Sequence, residues 1–165
     1  MATTFTKLND GWNAEPNGHD PHISIETPDI IFEFLLNDLL YPEYKNAEKG
    51  ILRFTDCWRY RLGPTNDEGW CRGQCRFSRL APKWGEFYEV HGDLLFNAVL
   101  DPKAFYNETF KVQLTPYSLD WVTLGKEVIS SRHFLFYLRD ETFECDARDW
   151  NFSIRWRAGQ NSLNR

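Results

Sequence analysis

Arg132-His133-Phe134-Leu135-Phe136-Tyr137-Leu138-Arg139-Asp140-Glu141-Thr142-Phe143-Glu144-Cys145-Asp146-Ala147 decides the fold of this chain. An aromatic run with strong strand preference meets a charged turn at Arg139-Asp140-Glu141, and a second alternating run leaves it. Side chains alternate along a strand, so Phe143, Cys145 and Ala147 share one face while Thr142, Glu144 and Asp146 share the other. The stretch reads as a hairpin that sets acidic groups beside a packed sheet.

Similar patterns extend in both directions. Downstream, Trp150, Phe152, Ile154 and Trp156 alternate with Asn151, Ser153 and Arg155, which predicts a half-buried last strand. Upstream, Trp121 to Leu124, Phe110 to Leu114, Gly85 to His91 and Gln74 to Phe77 read as short strands. Leu94 to Val99 fits a short helix or a strand. Ile51 to Leu62 reads as one long strand, with Leu52, Phe54, Trp58, Tyr60 and Leu62 on the core face. Its other face, Arg53, Thr55, Cys57, Arg59 and Arg61, is polar and cationic. His22 to Glu26 and Ile30 to Leu36 are strands around the turn Thr27-Pro28-Asp29, a helix being the rival for Ile30 to Leu40.

The expected fold is all-β or mainly β, an antiparallel β-sandwich or partly closed barrel with little helix. Residues 1–21 form an irregular segment pinned by Trp12, residues 22–158 a single β domain, and residues 159–165 a disordered tail. The expected core comprises Phe32 or Leu35, Leu52, Phe54, Trp58, Tyr60, Phe87, Phe134, Phe136, Phe143, Phe152 and Trp156.

A chain of 165 residues suits one domain with a real hydrophobic core. Its net charge of −5 argues against a nucleic-acid partner, which selects a basic footprint. The N-terminus lacks a signal-peptide apolar core, and no run approaches a membrane span, so a cytoplasmic protein with no membrane partner is expected. Cys57, Cys71, Cys75 and Cys145 then read as reduced thiols. Cys71 and Cys75 form a C-x3-C pair, half of a zinc site at most, and no second pair accompanies it. Neither a metal nor a cofactor is expected.

Three segments carry a resemblance. They are Asp10-Gly11-Trp12-Asn13-Ala14-Glu15-Pro16-Asn17, then Arg59 to Trp70 followed by Trp84-Gly85-Glu86-Phe87-Tyr88-Glu89-Val90, and the His133 to Ala147 hairpin. Together they resemble a family of small bacterial proteins with no established activity, marked by a Pro-Asn-Asp-Glu turn, a Gly-His-Pro step and a Thr-Phe-Glu-Cys strand. Thr65 interrupts the first motif here, and Gly73-Gln74-Cys75 replaces the second. The resemblance implies fold unity and candidate positions, not a reaction.

Three groups of residues invite chemistry. Asn66, Asp67 and Glu68 display two carboxylates and an amide on a turn, suited to a cation or a polar substrate; an Asx turn explains the same residues structurally. Glu144, with Asp140, Glu141 and His133, forms the second group. Glu144 is a partly buried general acid if its face is covered; if that face is solvated it is an ordinary outward charge, paired with Arg59 or Arg61 across strands. Glu33 poses the same question, and three arginines on one strand face favour an internal ion-pair network. Trp70 and Trp84 supply a possible ligand platform. A cysteine nucleophile at Cys145 would require His133 on the same face.

No nucleotide-binding, nucleophile-elbow or zinc-protease motif occurs. The leading expectation is a non-enzymatic binding or accessory module for a protein or small polar ligand, using Arg59, Arg61, Asn66, Trp70, Trp84, His133 and Asp140. The alternatives are a hydrolase or lyase using Glu144, Asp67 and Glu68, and an immunity-type protein-neutralising partner.

Overall fold

A computed structural model of the chain describes residues 3–18, 21–44, 48–64, 83, 85–92, 106–107, 112–113, 121–138 and 140–155. In chain order the strands are β1 (Thr4–Lys7), β2 (His22–Glu26), β3 (Asp29–Leu35), β4 (Lys49–Thr55), β5 (Arg59–Pro64) and β6 (Phe87–His91). They continue with β7 (Tyr106–Asn107), β8 (Val112–Gln113), β9 (Val122–Thr123), β10 (Arg132–Tyr137), β11 (Glu141–Ala147) and β12 (Asp149–Arg155). There is no helix among the described residues.

Two antiparallel sheets pack together as a sandwich, and no barrel closes. The larger runs β1-β6-β10-β11-β5-β9, the smaller β12-β4-β3-β2, and β7 pairs with β8 separately. The expected hairpin at 132–147 is β10–β11, closed by the bond from Leu138 N to Glu141 O at 2.9 Å. Its inward face meets the small sheet through rings: Phe143 stacks on Phe32 at 4.4 Å, Phe134 lies 5.4 Å from Phe54, and Phe136 meets Phe34 edge-on at 4.9 Å. Such contacts add about 0.5–1.5 kcal/mol per pair beyond their burial, which accounts for the aromatic residues on the facing strands.

Two expectations change. The first 21 residues are not wholly irregular, because β1 pairs with β6 in register Thr4↔His91. Asn9 fastens the next stretch of chain: its side chain accepts from Phe87 N at 3.0 Å and donates to Trp12 O and to Glu86 Oε2. Trp12 thereby reaches the core and stacks on Phe152 at 4.3 Å. The expected tail 159–165, and Trp156 in the expected core, lie outside the described residues.

The second change is larger. Ile51 to Leu62 is not one strand but two, in different sheets, joined by a corner at Asp56-Cys57-Trp58. Asp56 takes a left-handed backbone (φ 49°), and Asp29 holds the corner by accepting from Asp56 N at 3.0 Å and Arg53 Nε at 2.9 Å. Strands change sheets through such bends, and the alternation loses phase there. Cys57 therefore enters the core, while Trp58 sits half-buried at its edge; Tyr60, Leu62 and Phe152 pack partly buried against the core. Arg53 belongs to the small sheet and pairs with Asp29 and Glu26.

Candidate functional site

The outward face of the large sheet is polar where β10, β11 and β5 lie side by side. Register sets Glu144 opposite Arg61 and Asp146 opposite both Arg59 and His133. Because these residues alternate with core aromatics, all five share the face turned away from the sandwich interior. Away from Arg59 that face is closed to solvent as well: Glu144 is 0% exposed, and Leu135, Tyr137, Tyr88 and Thr142 around it are buried.

His133 stands between the two acids. Its Nδ1 lies 2.8 Å from Asp146 Oδ1, and its Nε2 lies 2.8 Å from Glu144 Oε2. Ionised carboxylates only accept, so an imidazolium donating from both nitrogens satisfies both contacts. Arg59 Nε donates to the other oxygen of Asp146, and Arg61 Nη1 lies 3.7 Å from Glu144 Oε1. Three cationic side chains thus surround two carboxylates.

The electrostatics follow from that count. Burial opposes the His133 imidazolium, but the hydrogen bonds to Asp146 and Glu144 and their charges outweigh it, leaving its pKa above the ordinary histidine value. Burial likewise pushes the Asp146 carboxyl up, yet its bonds and charge contacts with His133 and Arg59 bring it below the usual carboxylate range. The network holds its charges paired, the condition under which buried ions persist.

Where this face reaches the edge of the sheet, Arg59 lies between two tryptophans. Its guanidinium carbon is 4.3 Å from the Trp58 ring and 4.5 Å from the Trp121 ring, and Trp121 lies 6.1 Å from His133. Leu124 N donates to Trp58 O at 2.8 Å, and Trp58 Nε1 donates to Ser131 Oγ at 3.4 Å, which fixes the 124–131 loop against this rim. The loop carries Ile129, which is 91% exposed.

Among the residues singled out from sequence, Glu144, His133, Arg59 and Arg61 come together. Asp140 does not: it is exposed at the hairpin turn, at the far end from His133 and Asp146. Glu33 is buried on the small sheet, where Lys49 and Arg155 pair with it at 3.5 and 2.8 Å, so the expected single network is two networks on two sheets. Asn66, Asp67, Glu68, Trp70, Trp84, Cys71 and Cys75 lie outside the described residues. Sequence reasoning misses three members of the site: Asp146, Trp121, and Trp58, which simple alternation assigns to the core. Asp146 had a signal, since it lies two residues from Glu144 on the same face; Trp121 had none, because β9 pairs with β5 only through the fold.

Cys145 faces the core with Cys57, opposite in direction to His133, so the two cannot form a nucleophile and base. Burial, then its contact with the Cys57 thiol, pushes the Cys145 thiol well above the usual range and away from thiolate chemistry. No group of His, Cys, Asp and Glu among the described residues is arranged to hold a metal ion. No helix among them is long and apolar enough to cross a membrane. Comparison with known protein families, curated proteins and solved structures yields no match.

Proposed function

We propose that the protein is a binding module for a protein partner, with the Trp58–Arg59–Trp121 rim as its recognition surface and the His133 network as the scaffold beneath. One observation carries this reading: Glu144 and Asp146 are both committed to His133 and flanked by arginines. A general acid or base must exchange a proton with a substrate it touches, and a sealed, doubly engaged carboxylate is poorly placed for that. The rim has the composition of interface hot spots, in which tryptophan and arginine predominate. Arg59 links the two layers, since one side of the guanidinium binds Asp146 while its faces stack on the tryptophans. The two buried free thiols, Cys57 and Cys145, support a reducing, cytoplasmic setting.

The test is capture of a partner on immobilised protein followed by calorimetry with purified components. Trp121→Ala and Ile129→Asp should each weaken that complex about tenfold or more, the loss expected of an interface hot spot, while Glu144→Gln leaves it unchanged. A complex indifferent to both rim substitutions overturns the reading. So does turnover of any bound compound that disappears in Glu144→Gln.

A further inference from the structure

β12 is an edge strand of the small sheet and, among the described residues, pairs on one side alone, with β4. An unpaired edge exposes a row of backbone donors and acceptors that can template a further strand. The other outer strands offer less: β2 has five residues and β1 four, with Lys7 at its end. β12 has seven residues, Asp149-Trp150-Asn151-Phe152-Ser153-Ile154-Arg155, with no proline and no glycine.

Its side chains alternate strictly. Asp149, Asn151, Ser153 and Arg155 are exposed, while Trp150, Phe152 and Ile154 turn inward. The inward residues are only half-buried, although Trp150 meets Phe87 edge-on at 5.0 Å and Phe152 stacks on Trp12. Three large apolar side chains in one row along an open edge leave the core unfinished on that side.

The sequence of β12 is complementary to itself in reverse. In an antiparallel pair about a two-fold axis through Phe152, Asp149 faces Arg155 of the second copy and Arg155 faces its Asp149. On the same outward face Asn151 meets Ser153; on the inward face Trp150 meets Ile154, and Phe152 meets Phe152. Each charge is already placed by its own chain: Arg132 Nη1 donates to Asp149 at 2.8 Å, and Arg155 Nη1 reaches Glu33 at 2.8 Å. Both remain open to another partner, with side chains 67% and 61% exposed.

We infer that β12 is a self-association surface whose occupant is β12 of a second copy of this chain, the two small sheets joining into one of eight strands. The contact is isologous and closes on itself as a dimer. It lies on the opposite sheet from the rim assigned to partner binding, so either reading can fail alone.

Sedimentation of the full chain across a wide concentration range tests it. The wild type should show a reversible monomer–dimer equilibrium. Asp149→Arg and Arg155→Asp should each weaken the dimer about tenfold or more, because each sets like charges opposite one another at two symmetric positions. The double variant Asp149→Arg/Arg155→Asp restores opposite charges across the two-fold and should recover the dimer. It cannot restore the bonds to Arg132 and Glu33 within the chain, so recovery reports pairing between copies. A wild type that stays monomeric throughout overturns the inference, as does a dimer that ignores the single changes or that the double variant fails to rescue. If a variant does not fold, amide exchange on the wild type decides: protection in β12 must rise with protein concentration, and concentration-independent exchange overturns the inference.

Discussion

Gly63 lies against the guanidinium of Arg61: a Cβ at Gly63 would stand 2.3 Å from Nη2 and 2.6 Å from Cζ. The two residues are separated by one position on β5, so their outward directions coincide, and the absent side chain makes room for the Arg61 head. The backbone at Gly63 is not left-handed, so contact rather than conformation requires glycine there. Arg61 is held in turn beside the fully buried Glu144. Gly63→Ala should therefore cost about 1–3 kcal/mol, the usual range for overpacking a filled site. A urea melt unchanged by the substitution would show that the guanidinium has somewhere else to go.

Arg61→Ala removes one side of a buried ion pair and leaves Glu144 in a low-dielectric site with less counter-charge. The expected loss is about 3–5 kcal/mol. With the guanidinium gone, Gly63→Ala loses its clash, so its cost should largely vanish in the Arg61→Ala background, a coupling expected of residues in contact. A loss below about 0.5 kcal/mol for Arg61→Ala would place the residue among ordinary surface positions and discard the network account.

The same network sets how stability responds to pH. His133 has a folded pKa above its unfolded value of about 6.5, so its contribution is complete below that pH and is lost as pH rises through the folded value. Asp146 and Glu89, the latter lowered chiefly by its hydrogen bond from Arg132, have folded values below their unfolded ones of about 3.9 and 4.3. Their contributions are present above those values and lost as pH falls through the folded ones. Stability should peak between roughly pH 4.3 and 6.5 and decline on both sides. His133→Gln should flatten the alkaline decline in a series of urea melts; an alkaline limb that persists in that variant would locate the titrating group elsewhere.

The hairpin at 132–147 was legible because strict alternation needs no partner to be read, and the Arg61–Glu144 and Asp146–Arg59 pairings were within reach of the same logic. Three things were not. The break at Asp56 hides inside a run whose alternation looks continuous, so alternation alone puts Trp58 in the core and Arg53 on the same sheet as Arg59. His133 stands out in the sequence, but its pairing with two acids does not, since the register between β10 and β11 fixes which carboxylate meets which nitrogen. Trp121 joins the rim through a two-residue pairing of β9 with β5, a contact between residues over sixty positions apart. Local periodicity predicts strands and faces; strand order and sheet changes depend on long-range packing.

The corner itself supplies the last test. Asp56 holds φ at 49°, a region that costs residues with a Cβ roughly 1–2 kcal/mol, less for Asp and Asn and nothing for Gly. Its side chain also faces Arg148, with Nε to Oδ2 at 3.2 Å, but Arg148 is mostly exposed, and such a pair contributes little. Asp56→Gly should consequently be neutral or stabilising by up to about 1 kcal/mol, whereas Asp56→Val should cost about 1–2 kcal/mol, since a β-branched side chain tolerates that backbone least. The bond from Asp56 N to Asp29 survives both changes because it uses the backbone. The order Gly, Asp, Val in thermal melts would confirm that the chain changes sheets through a left-handed residue, and equal stability of the Gly and Val variants would refute it.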